Sequence, residues 1–215
     1  MITLTEFKDK NEILKNEELQ KETGYGFLKN GTAVVSMTCP MPGITVDMIN
    51  WWFWWHPQAS ERYRAWYPGD HKAVGYARKN REYFNQKSLP EFQPNTQYPT
   101  ETIGGSTMPL QIDFVRPEEF GFDREVMREN NIPLIVCGHV GIRSFVKHTE
   151  MAHIFKQTDD GLFLISRFWM GQLLWPKILR KIIINEKLAK GMTEHCHQEY
   201  RNLAAMLPDL YNENR

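Results

Sequence analysis

The sequence has 215 residues, with 26 Lys and Arg against 26 Asp and Glu, so its length suits one well-filled core and its charges balance. The neutral balance gives no electrostatic reason to expect nucleic acid or an anionic membrane as a partner. Its three cysteines are widely separated and no run of about eighteen apolar residues predicts a membrane span, so we expect a cytoplasmic protein with one domain over residues 1–215.

Short elements are predicted in the first half of the chain. Residues 1–30 are charged with sparse apolar positions, which is typical of a surface helix or an arm and not of a signal peptide. The next predicted elements are a strand at Thr32–Cys39 ended by Pro40, Pro42 and Gly43, a helix N-capped by Thr45 and closed by Pro57, and a short helix at Glu61–Trp66. Residues 72–97 are polar and irregular, which predicts a long surface loop of the kind that often covers a site.

The second half is predicted to be β-rich up to one long final helix. The β-rich runs are Thr100–Gly104, Leu110–Val115, Ile132–Ile142, Phe145–Lys156 and Gly161–Trp169. Residues 173–206 predict a single helix with Pro176 in or near its first turn. Roughly six antiparallel strands and a long last helix give an α+β layout, which is the order that a helix-grip fold needs. In that fold a curved antiparallel sheet wraps around the C-terminal helix and encloses a cavity.

An aromatic stretch from Met48 to His71 is the densest feature of the sequence. It places four tryptophans within residues 51–55 and then offers Tyr63, Trp66 and a His behind a Pro-Gly bend. Rings of this size are usually core residues, because each buries about 150–250 Å² of surface. On this stretch alone a core interpretation is favoured over the wall of a ligand pocket.

The predicted C-terminal helix carries His195 and Glu199 on its apolar stripe. Residues four apart lie on the same side of a helix, so both side chains should converge at one height facing the core. A buried carboxylate needs a cation, and the neighbouring histidine makes a metal ion more attractive than a lone ion pair. His71, behind the Pro-Gly bend, and Glu101, among apolar residues, are candidate further ligands for Zn²⁺, with Mn²⁺ and Fe²⁺ not excluded.

Four other histidines are candidates for a place at a site. His139 lies inside an apolar strand pattern, where a core histidine bonded to a backbone carbonyl is the favoured interpretation. His148 and His153 are five apart on one predicted strand and should therefore point to opposite faces. His197 lies off the apolar stripe of the last helix and should face solvent.

Four motifs together resemble the 2,4-diacetylphloroglucinol hydrolase family, which includes the phloretin hydrolases. They are WWFWWH with ERYRAWYPGDH, then TETIGG, CGHVG and HCHQE, and the resemblance covers about residues 32–207. It implies a helix-grip (Bet v 1-like) catalytic domain and a zinc ion held by two histidines and two glutamates, which fall at His71, Glu101, His195 and Glu199. It also implies contacts with the substrate, and catalytic roles, at Tyr63 and His139.

The resemblance implies hydrolysis of a carbon–carbon bond between an acyl group and a phloroglucinol-like or other β-diketone-type carbon. Trp66 would stack on the planar aromatic or polyketide-like substrate, and Zn²⁺ would activate water or the acyl carbonyl. Two alternatives stay open at this point: a non-catalytic helix-grip protein that binds a hydrophobic small molecule, and a metal-dependent ester or lactone hydrolase on the same fold. The sequence also leaves a homodimer open as the assembly.

Overall fold

The computed structural model describes residues 9–143 and 147–214 and consists of one antiparallel sheet packed with helices. The strands are β1 (Gly24–Phe27), β2 (Ala33–Pro42), β3 (His71–Ala73), β4 (Asn95–Gln97), β5 (Thr100–Ile103), β6 (Ser106–Val115), β7 (Leu134–Ile142), β8 (Lys147–Gln157) and β9 (Gly161–Met170). The helices are α1 (Glu12–Lys15), α2 (Glu17–Lys21), α3 (Val46–Trp55), α4 (Ser60–Trp66), α5 (Arg81–Phe84), α6 (Pro117–Phe120), α7 (Arg124–Glu129), α8 (Ile178–Ile183) and α9 (Glu186–Asn214).

The strand order explains how the sheet holds its last helix. The order is β1-β2-β9-β8-β7-β6-β5-β3, with β4 paired to a further part of β6. Helix α9 packs against β1 and β2 near one end of this order and against β5 near the other end, so the sheet must curl around it. The predicted α+β helix-grip fold is therefore confirmed. No helix in the described part of the chain is long and apolar enough to cross a membrane.

Both faces of the sheet are buried, and the N-terminal segment covers part of the outer face. The sequence did not predict this contribution of the N-terminal segment to the core. Ile13 and Leu14 are 0% and 1% exposed and pack with Phe120, Phe122 and other residues in a second apolar cluster. Of the two predicted alternatives, a surface helix or an arm, α1 is the helix, and its two apolar side chains cover the outer face of the sheet. Leu4 and Phe7, which are among the sparse apolar positions of residues 1–30, lie outside the described residues. So does Phe145, the first residue of the strand predicted at Phe145–Lys156.

The prolines do not end strand β2 as predicted. Pro40 and Pro42 are both inside it and lie opposite residues of β9. On the other side β1 pairs with Ala33–Ser36, so within the described part of the chain both prolines lie where that side of β2 has no strand partner. A missing N–H is tolerated at such an edge.

The long helix predicted for residues 173–206 is divided in two. Helix α8 ends at Ile183, and the side chain of Asn185 accepts a hydrogen bond of 2.9 Å from the Leu188 N–H, which caps the start of α9. Arg180 holds α8 against the body of the protein through hydrogen bonds to Thr32 Oγ1 and the Gln172 carbonyl. Helix α9 then runs past Pro208 to Asn214, beyond the predicted end.

The expected loop at residues 72–97 contains β3, α5 and β4 and contributes to the core. Tyr83 and Phe84 are buried, and the Trp54 indole N–H donates to the Tyr83 carbonyl at 3.1 Å. This segment is therefore packed against α3, which carries the tryptophans of the aromatic stretch.

Candidate metal centre and cavity

Strand β3, strand β5 and helix α9 bring three predicted ligands to one point. His71 is the first residue of β3 and lies directly opposite Glu101 in the pairing with β5. His195 approaches from α9, and one ligand atom of each residue lies within 4.8 Å of the others. Two imidazoles and a carboxylate in this arrangement could hold a metal ion.

Glu199 approaches the same point from the next turn of α9. Its Oε2 atom lies 3.4 Å from His71 Nε2 and 3.8 Å from His195 Nε2. The two imidazole Nε2 atoms are 3.3 Å apart, and Glu101 Oε2 is 3.7 Å from that of His195. Ligand atoms at usual zinc distances in a tetrahedron are about 3.3 Å apart. The four side chains therefore already have nearly the spacing that such an ion requires.

Hydrogen bonds orient the predicted ligands from behind. The His71 Nδ1–H donates to the Tyr63 carbonyl at 3.0 Å, which leaves Nε2 free for the cluster. The Tyr63 ring stacks on His71 at 3.9 Å, and the Tyr63 hydroxyl donates to Glu101. His195 Nδ1 lies 3.5 Å from Asp70 Oδ2, so a carboxylate also stands behind the second imidazole.

The electrostatics of the cluster favour a positive charge. Burial by itself lowers the pKa of His71, but Glu199 and Glu101 more than offset this, so the pKa of His71 is raised. Burial and the Glu101 carboxylate raise the pKa of the Tyr63 hydroxyl well above its ordinary value. The buried carboxylate of Glu199 and the mostly buried one of Glu101 thus stabilise a proton or a divalent cation at this point.

The aromatic stretch divides between core and site. Trp51, Trp52 and Trp54 are buried in the main core, as the core interpretation predicts. Trp66 lines the cavity, and its indole N–H donates to the Glu199 carbonyl at 2.6 Å. The end of the stretch therefore fixes α9 against α4 at the height of the cluster.

A cavity of about 180 Å³ lies between the sheet and α9, beside the cluster. Tyr63, Trp66 and all four predicted ligands except His71 are on its wall. Ile142 and Ile183 also line it and are 37% and 43% exposed. These two isoleucines mark an opening of the cavity to solvent, near the end of β7 and α8.

His139 does not join this group. It is half-buried on β7, between residues Gly138 and Val140. The centroid of its ring lies 5.6 Å from that of the Phe120 ring. Phe120 belongs to the apolar cluster on the outer face, whereas Val140 lines the cavity. Since side chains alternate along a strand, His139 faces away from the cavity. The interpretation of His139 as a residue at the substrate is corrected on this geometry.

A β-bulge brings two other histidines to the cavity. Val140 pairs with Thr149 and Gly141 with Lys147, so His148 is an extra residue in β8. The bulge changes the alternation of side chains, and His148 and His153 both line the cavity. The prediction that they point to opposite faces is wrong for this reason. His56 lies on the same wall and was likewise missed, whereas His197 is exposed as predicted.

Hydrogen bonding defines which nitrogen of His153 carries the proton. Cys196 Sγ donates to Ser166 Oγ at 3.4 Å, and Ser166 Oγ lies 2.6 Å from His153 Nδ1. Every polar hydrogen in this chain of groups is paired if the Ser166 hydroxyl donates to Nδ1. Burial lowers the pKa of His153 to about 3, so the ring is neutral. A neutral ring that accepts at Nδ1 carries its hydrogen on Nε2, which makes His153 a hydrogen-bond donor.

This buried histidine predicts a loss of stability in acid. The unfolded pKa is about 6.5 and the folded pKa about 3, so stability is fully present above pH 6.5 and is lost as the pH falls towards 3. Lowering the pH from 7.5 to 5 should cost about 2 kcal/mol through this one group. Urea unfolding at both pH values should show a smaller loss for His153→Gln. His56, whose pKa is also lowered to about 3, is present in both proteins and contributes the same loss to each. The difference between the two losses therefore reports on His153, and equal losses would contradict the prediction.

Comparison with known proteins identifies relatives along nearly the whole chain. The family model described as DAPG hydrolase PhiG domain matches residues 4–212. The 2,4-diacetylphloroglucinol hydrolase of Pseudomonas protegens is 33% identical over 232 residues, covering 98% of this chain and 75% of that protein. The phloretin hydrolase of Eubacterium ramulus is 32% identical over 221 residues, covering 97% and 78%. Among solved structures, protein Ms6760 from Mycobacterium smegmatis aligns with a TM-score of 0.48 at 14% identity, covering 87% of this chain and 98% of that one.

Proposed function

We propose, from the premise that this chain belongs to the family of the DAPG hydrolase PhiG domain, that it is a zinc-dependent hydrolase of acylated phloroglucinol-type compounds. The bond cleaved would join an acyl carbon to a ring carbon flanked by hydroxyl groups. The relatives are named as hydrolases of 2,4-diacetylphloroglucinol and of phloretin, and both compounds contain such a bond.

The observation that carries the proposal is the convergence of His71, Glu101, His195 and Glu199 beside the cavity. These residues come from β3, β5 and α9, and two imidazoles with two carboxylates fit a zinc ion by their chemistry and spacing. We further propose that residues 1–215 act as one catalytic domain, because β3 and α9 both contribute to the site. A non-catalytic carrier would have no use for a buried carboxylate at Glu199 with a second, mostly buried one at Glu101 beside it, because both are costly without a cation.

The reaction consumes one water molecule and no other reactant. The water oxygen forms a bond to the acyl carbon, and the carbon–carbon bond breaks with its electron pair left on the ring. The ring oxygens delocalise that pair, and the ring carbon then takes up a proton. A divalent ion at these four residues would supply polarisation of the acyl carbonyl and a lowered pKa for the water.

The residues of the cavity would bind the ring and protect it from water. His153 offers its Nε2–H to an oxygen of the substrate, the role that the resemblance had placed at His139. Tyr63, hydrogen-bonded to Glu101 and stacked on His71, would lie beside the reacting acyl group and would hold or move the proton there. Trp66 provides a flat apolar wall next to the cluster.

Metal analysis and a product assay test this proposal together. The purified protein should contain about one zinc ion per chain by elemental analysis. It should release acetate from 2,4-diacetylphloroglucinol, or the hydroxyphenylpropanoic acid from phloretin, and lose this activity on treatment with a chelator. Zinc with turnover of p-nitrophenyl acetate alone would favour an ester hydrolase instead. Absence of both metal and turnover would favour a binding protein.

A further inference from the structure

A groove of about 740 Å³ lies against the far end of the cavity from the Ile142 and Ile183 opening. Phe53, Gln97 and Phe114 line both the groove and the cavity. These three side chains therefore form a shared wall between the two spaces.

The cavity by itself is small for the compounds proposed as substrates. Pockets that bury a drug-sized ligand are usually about 300–1,000 Å³, and the cavity has only about 180 Å³. It suits one ring with a short acyl group. A longer acyl group needs additional space, and the groove is large enough to supply it.

The shared wall is close to the candidate metal centre. The centroid of the Phe53 ring lies 6.3 Å from that of the Trp66 ring, and the Trp66 centroid lies 5.2 Å from that of the His71 ring. In phloretin two methylenes separate the acyl carbonyl from the ring at the end of the acyl group. With the carbonyl beside His71, that distal ring would reach Phe53 and Phe114. These two rings meet edge to face at 5.9 Å, and a rotation of either one would open a path between them.

The groove has an apolar floor and, among the residues that the structure describes, one cation without an ion-pair partner. Its apolar lining includes Leu89, Phe92, Ile132 and Leu134. Three arginines line it as well, and Arg124 and Arg128 are paired with Glu118 and Glu125. Arg116 is half-buried and has no side-chain partner among residues 9–143 and 147–214. Its guanidinium is therefore available to an oxygen atom of a ligand.

We propose that this groove binds the distal part of the acyl group, and that the preferred acyl group ends in an oxygen-bearing ring held by Arg116. The inference rests on the proposed function, because it places the acyl carbonyl at the metal centre. It makes Leu134 and Arg116 residues that determine specificity for the acyl group, at a distance from the bond that breaks.

Paired substrates and paired variants test the groove. Leu134→Trp should fill it and lower kcat/KM for phloretin by about tenfold or more, with 2,4-diacetylphloroglucinol changed by less than about twofold. Ile183→Trp, at the other opening of the cavity, is the matched control and should not discriminate in this way. Equal effects of Leu134→Trp on the two compounds, or selectivity produced by Ile183→Trp instead, would overturn the proposal.

The role of Arg116 is tested through the hydroxyl group on the distal ring of phloretin, which is the ring at the end of its acyl group. Arg116→Leu should weaken binding of phloretin by about tenfold and leave binding of the analogue without that hydroxyl unchanged. Arg124→Leu, which removes a guanidinium already paired with Glu118, is the control. Calorimetric binding separates the two proposals: a protein that binds phloretin in this pattern but cleaves neither compound retains the groove and loses the proposed hydrolysis. Equal losses of phloretin and its analogue in Arg116→Leu would overturn the role of Arg116.

Discussion

Replacing His195 with alanine should remove both the bound metal and the hydrolytic activity. Its Nε2 atom lies within 3.8 Å of His71, Glu101 and Glu199 atoms, so it is at the centre of the four-residue cluster. Loss of residues behind a metal ligand already costs about 10–100-fold in affinity or activity. Loss of a ligand should exceed this, and we expect at least about a thousandfold fall in kcat/KM.

His197→Ala is the matched control for this experiment. It removes the same side chain from the same helix two residues further on, where the histidine is exposed. Elemental analysis and the product assay should distinguish the two variants, and thermal unfolding should show that α9 is still folded in both. A His195→Ala protein that keeps one zinc ion per chain would refute the ligand assignment.

The carboxylate of the same helix should behave in parallel. Glu199→Gln keeps the size of the side chain and removes the charge, so it tests the electrostatic part of the site alone. Glu194 provides the control, because it is exposed five residues earlier on α9 and forms an ion pair with Lys190 at the surface. Glu199→Gln isolates the effect of the charge better than Glu199→Ala, because the alanine variant would also leave a buried cavity.

Local spacing made part of the site predictable. His195 and Glu199 were recognised because residues four apart on a helix must share a face, and this relation needs no tertiary information. Glu101 and His71 are thirty residues apart, and only the pairing of β3 with β5 places them opposite one another. Their sequence context makes them candidate ligands, and the resemblance of motifs implies their place in the cluster.

The side of a strand on which a residue lies was harder to predict. His148 and His153 reach the same cavity because of one extra residue in β8, and a single bulge reverses every later assignment made by alternation. His139 shows the related limit: an apolar strand pattern with both faces buried does not indicate which face is the cavity. The burial of Ile13 and Leu14 on the outer face is the cause of that ambiguity.

One methyl group at Gly191 should disturb both the packing of α9 and the geometry of the site. A Cβ atom added at Gly191 would lie 2.4 Å from Gly104 Cα and 2.5 Å from Gly104 N. Atoms do not approach this closely, and the obstacle is the backbone of the turn between β5 and β6. Helix α9 and this turn must therefore separate. Glu101 precedes the turn and His195 follows Gly191 by one helical turn, so the two predicted ligands would move apart.

The expected size of the effect follows from two opposing terms. Alanine favours a helix over glycine by about 1 kcal/mol, whereas forcing an extra carbon into a packed contact costs about 1–3 kcal/mol or more. Because the contact is with backbone, we expect the second term to be the larger. Gly191→Ala should lower the free energy of unfolding and weaken zinc binding by at least about tenfold. Gly75→Ala is the control, since a Cβ there meets nothing within 4 Å. Unfolding in urea and zinc competition with a chelator measure the two quantities, and a Gly191→Ala protein as stable and as zinc-avid as the Gly75→Ala protein would show that α9 is not positioned by this contact.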